Sequence, residues 1–283
     1  MPLWHYGWDG NPALSALFEC RDVHFEYERV PALRGLSLEI AAGESVALLG
    51  ANGSGKSTLL RLLDGLCFAS RGTVSFCGDA LTQDRLQADD FALAFRRRVG
   101  LVFQNPEAQL FNPTVFDEVA FGPAQLRWPK QEILQAVEQT LQLMRIEHLR
   151  DRPPYRLSGG EKKRVALASV IVLDPEVILL DEPTSTLDPR SQSGLIDLLQ
   201  NWKSASKTII ATKHQLEILD DLADRLIVLE DGKVAASGAT RNILNDFDLL
   251  LRANLVHAHR HSHGGVTHSH PHRHSHADHE HEH

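Results

Sequence analysis

The chain has 283 residues, of which 42% are hydrophobic and 23% charged, and its formal net charge at pH 7 is -8. These values predict a folded globular protein with one large α/β domain or two small ones. A negative chain without a dense Lys/Arg block lacks the surface that displaces counterions from phosphates, so we expect no nucleic-acid partner. The longest apolar run, residues 165–173, is far shorter than the ~20 residues that span a bilayer, so we expect a cytoplasmic protein that cannot form a pore alone.

The order of apolar and polar segments predicts an α/β domain over residues 18–250, with a mostly parallel core sheet. Residues 1–17 have no usable periodicity and are interpreted as an N-terminal extension. Helix-period positions at 130–151 and 159–173 predict an inserted helical subdomain at about 105–173. The predicted strands are Ser45–Leu49, Val99–Phe103, Val177–Leu180, Thr208–Ala211 and Leu226–Leu229.

A glycine-rich loop follows the first of these strands and matches the phosphate-binding pattern G-x-x-x-x-G-K-[ST]. A strand before the loop and a helix after it are the context that this pattern requires. Backbone N–H groups of such a loop surround the phosphates of a nucleotide at a helix N-terminus, the lysine adds a positive charge, and the serine hydroxyl suits Mg²⁺. The predicted ATP-binding residues of the loop are Gly50, Asn52, Gly53, Ser54, Gly55, Lys56, Ser57 and Thr58.

A second glycine-rich helix start is Leu157-Ser-Gly-Gly-Glu161. By itself this pattern predicts a helix N-terminus capped by Ser158, with Glu161 as its capping-box partner. Ser158, Gly159 and Gly160 would also expose backbone donors at the positive end of a helix, which is a second surface suited to phosphate.

An acidic pair, Asp181-Glu182, ends the apolar run Val177–Leu180. By itself such a pair is most often a solvated turn. Downstream of a phosphate loop, Asp181 is predicted to hold Mg²⁺ and Glu182 to activate the water that attacks ATP.

The composition changes abruptly at residue 257, and 12 of the last 27 residues are histidine. Such a segment cannot bury a core, so we expect a disordered tail over 257–283. Imidazole is a good ligand for Ni²⁺ and Co²⁺, but ligand type alone does not distinguish the two; a solubilising tail or a cloning remnant are the alternatives. The candidate metal ligands are His257, His259, His261, His263, His268, His270, His272, His274, His276, His279, His281 and His283.

Taken in order and spacing, the glycine loop, the Ser-Gly-Gly segment, the acidic pair and Ser185-Thr-Leu-Asp188 resemble the nucleotide-binding domains of ABC transporters. The resemblance covers about residues 18–245. It implies an ATPase that works as a homodimer, in which each ATP lies between the phosphate loop of one chain and the Ser-Gly-Gly segment of the other. It also places Asp188 among the ATP-binding residues.

Three further roles are implied by the resemblance alone. Gln104 is similar to the glutamine that reaches Mg²⁺ and the water, and Tyr27 to the aromatic residue that stacks on adenine. His214 is similar to the histidine that contacts the γ-phosphate. The family usually has Thr-His at that position, whereas this chain has Ala211-Thr-Lys-His214, with Lys213 interposed.

Residues 104–123 are more particular and resemble the ATPases of energy-coupling factor importers, especially their cobalt and nickel branch. The resemblance implies import of Ni²⁺ or Co²⁺, with a transmembrane scaffold subunit and a substrate-capturing membrane subunit as partners. The chain would then be peripheral, at the cytoplasmic face of the inner membrane. The alternatives are the same ATPase serving a vitamin or another solute importer, a soluble ABC ATPase of repair or translation, and a metal-storage protein.

Overall fold

The computed structural model describes residues 16–185, 187, 189–212, 223–255, 257–263 and 266–272. The strands in chain order are β1 (Phe18–Tyr27), β2 (Val30–Ile40), β3 (Ser45–Leu49), β4 (Arg71–Phe76), β5 (Asp79–Ala80), β6 (Val99–Val102), β7 (Val177–Leu180), β8 (Thr208–Thr212), β9 (Arg225–Glu230), β10 (Lys233–Ala239), β11 (His257–His263) and β12 (Val266–His272). The helices are α1 (Lys56–Leu63), α2 (Gln83–Gln87), α3 (Asp89–Arg98), α4 (Val115–Gln125), α5 (Lys130–Met144), α6 (Gly159–Ile171), α7 (Pro189–Ser204), α8 (Thr240–Asn245) and α9 (Phe247–Arg252).

A six-stranded sheet in the order β10-β9-β3-β8-β7-β6 forms the centre of the molecule. Its strands pair in parallel except β10, which is antiparallel to β9. Every residue of β3 and β7 is buried, which explains why residues 46–49 and all of β7 are continuously apolar and do not alternate. The predicted α/β class and mostly parallel sheet are confirmed, and the five predicted strands are correct to within one residue at each end.

A separate antiparallel sheet has the order β2-β1-β4-β5, and none of the five predicted strands belongs to it. It shares one core with α1, α3 and one face of the central sheet, and the rings of Phe18 and Phe76 lie 5.0 Å apart in it. Leu17, the last residue of the predicted N-terminal extension, is buried in this core, and its N–H donates to Ile40 O at 2.7 Å. The folded domain therefore includes residue 17.

Helices α4, α5 and α6 lie between β6 and β7 in the chain, where the helical subdomain is predicted. Their apolar faces share a second core with α7 and the other face of the central sheet, including Ile178 and Leu180. Helix α5 ends at Met144, because Arg145 adopts a left-handed conformation with φ 55°. No helix among the described residues is both long enough and apolar enough to cross a membrane.

The histidine-rich segment differs from the expected disordered tail. Strands β11 and β12 form their own two-stranded antiparallel sheet, with His257 opposite His272 and His261 opposite His268. Two antiparallel strands can satisfy each other's backbone groups without burying apolar side chains, and composition alone does not predict such pairing. Residues 273–283 lie outside the described part of the chain.

Candidate nucleotide site

The phosphate loop connects the C-terminal end of β3 to the first turn of α1. Gly50 and Gly55 have φ values of 149° and 103°, and a Cβ at either position would lie within 3 Å of a backbone oxygen, that of Leu229 or of Ala32. These close approaches require glycine. Lys56 Nζ donates to Gly50 O at 2.7 Å and Ala51 O at 3.0 Å, so the loop bends around the amine.

The loop forms one wall of a cleft of about 570 Å³. Its lining residues are Tyr27, Ala32, Asn52, Gly53, Gly55, Lys56, Ser57, Thr58, Gln104 and Glu182. Burial lowers the pKa of Lys56. The carboxylates of Glu182 and Asp181 oppose that shift, because they lie near the amine. Most of the predicted ATP-binding residues that the structure describes therefore line a single cleft. Ala32 also lines it, and its place at the start of β2 gave no signal in the sequence.

Three predicted residues lie behind the lining of this cleft. Gly50 and Ser54 form the base of the loop, and the Ser54 hydroxyl is buried without a hydrogen-bond partner among the described residues. Asp181 is buried at the end of β7, where its Oδ1 accepts from Ser57 Oγ at 3.1 Å and from Thr212 Oγ1 at 2.8 Å. A hydroxyl and a carboxylate oxygen at this separation are the hard donors that Mg²⁺ prefers, so the residues fit this ion.

Glu182 follows Asp181 and points into the cleft. Its backbone has φ 43°, a conformation that is uncommon outside glycine, and its N–H donates to Thr212 Oγ1 at 2.8 Å. Its Oε2 accepts from Gln104 Nε2 at 2.6 Å. The predicted base and the predicted Gln104 are thus in contact, although 78 residues separate them. Thr212 orients both acidic residues, and no motif in the sequence predicts this role.

Tyr27 lies at the edge of the cleft, beside the phosphate loop. Its side chain is 41% exposed, its ring meets Phe25 edge to face at 4.8 Å, and its hydroxyl accepts from Arg61 Nη1 at 3.1 Å. A partly exposed ring can offer its exposed face to a planar ligand.

The Ser-Gly-Gly segment is not among the described residues that line the cleft. Ser158 caps α6 by accepting from Glu161 N, and Glu161 Oε2 accepts from Ser158 N at 2.8 Å, so the predicted capping box is present. The hydrogen bonds that Glu161 Oε2 accepts from Ser158 N and Ser158 Oγ lower the pKa of Glu161 and keep it charged. Ser158 and Gly159 are exposed, and a Cβ on Gly159 would meet nothing within 4 Å. This helix start therefore faces open space.

Lys163, in α6, is a buried residue near the site, and no motif in the sequence predicts its role. Its side chain is 0% exposed, and its Nζ donates to the carbonyl oxygens of Phe103 and Gln104 at 2.9 and 3.1 Å. Burial lowers the pKa of Lys163 to about 8, and the nearby Asp181 and Glu182 oppose that shift.

Some predicted residues fall outside the described part of the chain. They are Asp188, His214, His274, His276, His279, His281 and His283. The other tail histidines occupy positions in β11 and β12. Among the described residues there is no cluster of three or more His, Cys, Asp or Glu that could hold a metal ion.

A glycine loop between a parallel strand and a helix, with two carboxylates at the end of a nearby strand, defines a P-loop nucleotide hydrolase. The ABC transporter family matches residues 33–185. The nickel import ATP-binding protein NikO of Rhodobacter capsulatus is 52% identical over 246 residues, which cover 86% of this chain and 97% of that protein. The energy-coupling factor transporter ATP-binding protein EcfA2 of Methanospirillum hungatei is 42% identical over 86% of this chain and 60% of its own length.

A solved structure is similar as well. The cbiO1 protein of Clostridium perfringens, part of the ABC transporter complex cbiONQ, superposes with a TM-score of 0.70 at 34% identity, covering 85% of this chain and 95% of that one. The chain belongs to the ABC transporter family and is an ATPase subunit of that family. The family recognised from the motifs is confirmed.

Proposed function

We propose that the chain hydrolyses ATP to energise import of Ni²⁺ or Co²⁺ through an energy-coupling factor transporter. The proposed cargo is supported by the 52% identity to the nickel import protein over nearly the whole length of that protein. The chain's resemblance to cobalt and nickel importers at residues 104–123 supports the same branch. A vitamin or another solute is the alternative cargo.

Within one chain, different residues of the cleft bind the phosphates, hold the metal ion and activate the attacking water. The loop N–H groups and Lys56 bind and orient the phosphates. Ser57, Asp181 and Gln104 would hold Mg²⁺, which when bound neutralises charge on the phosphate oxygens. Glu182 accepts the proton of the attacking water, and Gln104, already hydrogen-bonded to Glu182, orients that water. We place His214 at the γ-phosphate and Asp188 beside the ATP by resemblance to the family.

The exposed Ser-Gly-Gly helix start supports a shared site. Ser158 lies outside the cleft of its own chain among the described residues, so its donors are available to the ATP of a second chain. We therefore propose a homodimer with two composite sites.

The surface around Phe111 and Phe121 is proposed to receive the membrane subunits. Phe111 is 67% exposed, and its ring meets that of Phe121 edge to face at 4.9 Å. Glu118 is buried and accepts from Phe111 N and Asn112 N, which fixes the loop that presents Phe111. An exposed aromatic pair on a fixed loop is suited to an apolar partner surface. We place the chain at the cytoplasmic face of the inner membrane, bound to a transmembrane scaffold subunit and a substrate-capturing subunit.

The tail histidines are proposed to bind Ni²⁺ or Co²⁺ as a buffer beside the transporter, separately from ATP hydrolysis. Their ligation needs neutral imidazole, so binding should weaken below the ordinary histidine pKa of about 6.5.

Uptake measurements test the cargo. The chain would be expressed with its membrane subunits in cells that lack nickel and cobalt uptake, and radioactive nickel, cobalt and vitamin accumulation compared with a Glu182→Gln strain. We expect metal uptake that needs intact Glu182. Vitamin uptake with the same dependence, and no metal uptake, would favour the alternative.

Truncation tests the tail. A chain truncated after Val256 should keep its ATPase rate and lose its binding of Ni²⁺ or Co²⁺ in equilibrium dialysis. Unchanged metal binding would contradict the buffer role.

A further inference from the structure

Lys163 connects two parts of the molecule that serve different ATP sites in the proposed dimer. It lies five positions after Ser158, in the second turn of α6. Its buried amine donates to Phe103 O and Gln104 O, so it holds the backbone directly at Gln104. A lysine whose side chain is fully buried and whose amine ends on two carbonyl oxygens is fixed in one geometry.

Two further side chains, those of Gln109 and Lys162, join α6 to residues 103–109. Gln109 Nε2 donates to Ala166 O at 2.8 Å and Ser169 Oγ at 3.0 Å, while Gln109 Oε1 accepts from Phe103 N at 3.2 Å. On the surface, Lys162 forms an ion pair with Glu107. Residues 103–109 are therefore attached to α6 at both ends, and a displacement of α6 must carry Gln104 with it.

This attachment has a direct consequence for Glu182. The Gln104 amide donates to Glu182 Oε2 at 2.6 Å, so the position of the Gln104 backbone decides where this donor stands relative to the base. A continuous set of contacts thus leads from the helix that begins at Ser158, through Lys163, to Gln104 and Glu182.

We propose that Lys163 is a positioning residue that holds Gln104 to the helix beginning at Ser158, so that a nucleotide bound against Ser158 in one composite site sets the position of Gln104 in the other. The inference rests on the proposed shared sites. It makes α6 the connection through which the two sites of a dimer communicate.

The test compares Lys163→Met with a matched control in the full-length chain. Lys207 also donates to two backbone carbonyls, Pro175 O at 2.8 Å and Asp174 O at 3.3 Å, but it precedes β8 at the end of the sheet opposite the site. Lys163→Met should lower kcat about tenfold, as expected when a catalytic group is misplaced, with KM for ATP within about twofold. The Hill coefficient for ATP should fall toward one. Lys207→Met should change none of these kinetic values.

Two more variants keep the test decisive. Lys163→Arg retains donors for both carbonyls and should restore most of kcat and the Hill coefficient. Gln109→Leu breaks the second attachment and should change kcat in the same direction, which tests the idea even if Lys163→Met fails to fold. Wild-type kcat and Hill coefficient in Lys163→Met, or in Gln109→Leu where Lys163→Met does not fold, would overturn the proposal, as would an equal loss in Lys207→Met.

The outcome is separable from that of the proposed function. If Ser158→Arg abolishes hydrolysis while Lys163→Met keeps the wild-type Hill coefficient, the shared site stands and the positioning role falls. If Ser158→Arg leaves hydrolysis intact, the shared site itself is wrong.

Discussion

The chain contains two glycine-rich helix starts, at α1 and at α6, and they are built differently. Helix α1 begins after Gly55, which provides no side-chain cap, so its first N–H groups are open to a ligand. Helix α6 begins after Ser158, whose side chain and that of Glu161 cap each other reciprocally. The first lies in a cleft with Lys56 and two carboxylates nearby, and the second is exposed.

The difference indicates that the two helix starts have different roles in binding and hydrolysing ATP. An uncapped helix start needs an anion to satisfy its donors, which suits a site that binds phosphate within one chain. A start that already satisfies two of its donors is stable without ligand, and adds its remaining donors only when another molecule presents a phosphate. ATP affinity should therefore belong to α1, whereas hydrolysis should need both.

The largest expected effect comes from Glu182, the proposed base in the cleft at the start of α1. Glu182→Gln should lower turnover by roughly 10²–10⁴-fold, because it removes a positioned base and leaves the phosphate loop untouched. ATP affinity, measured by equilibrium dialysis, should stay close to wild type. The variant should also remain dimeric with ATP in size-exclusion chromatography. Near-normal phosphate release would remove Glu182 from the catalytic role.

Ser158→Arg tests the role of the helix start at α6. Added bulk at the exposed helix start should obstruct the second chain's phosphate and reduce phosphate release about a hundredfold or more, the scale at which lost transition-state donors act. Monomer affinity for ATP should change little, because Ser158 is not part of the cleft lining. Ser204→Arg is the control, since Ser204 is exposed and its hydroxyl donates to Gln200 O within α7. Wild-type hydrolysis in Ser158→Arg would contradict a composite site.

A smaller effect, on stability, is expected at the other end of α1. Burial raises the pKa of Asp64 to about 7 from an ordinary value of 3.8, although Arg96 opposes the shift. The folded chain then holds a proton that the unfolded chain releases. Asp64 thus adds stability that is fully present below pH 3.8 and is lost as the pH rises to about 7, by at most about 1.4 kcal/mol per pH unit.

Asp64→Asn removes this titration. Thermal unfolding should show the variant gaining stability relative to wild type between pH 5 and pH 8, with ATP affinity unchanged. A difference between the two proteins that stays constant over this range would show that Asp64 does not titrate there.

Much of the site could be predicted because its chemistry is local. The spacing from Gly50 to Ser57 specifies a loop, a helix start and a candidate cation ligand within eight residues, and the structure brings them together at one cleft. The capping box at Ser158 is equally local. His214 and Asp188, by contrast, were assigned by resemblance to the family and remain predictions.

The sequence by itself determined the parallel sheet, the phosphate loop and the order of the motifs, since continuous apolar strands and glycine spacing are encoded residue by residue. Only the tertiary structure decided that Thr212 orients both acidic residues, that Ala32 lines the cleft, and that Lys163 ends on the carbonyl of Gln104. The contacts of Thr212 and Lys163 join residues 30 or more positions apart in the chain, and Ala32 lies on a different strand from the one that leads into the loop. A pattern of neighbouring residues does not predict these contacts, because only the pairing of β8 with β7, the packing of α6 beside β6 and the position of β2 bring the groups together.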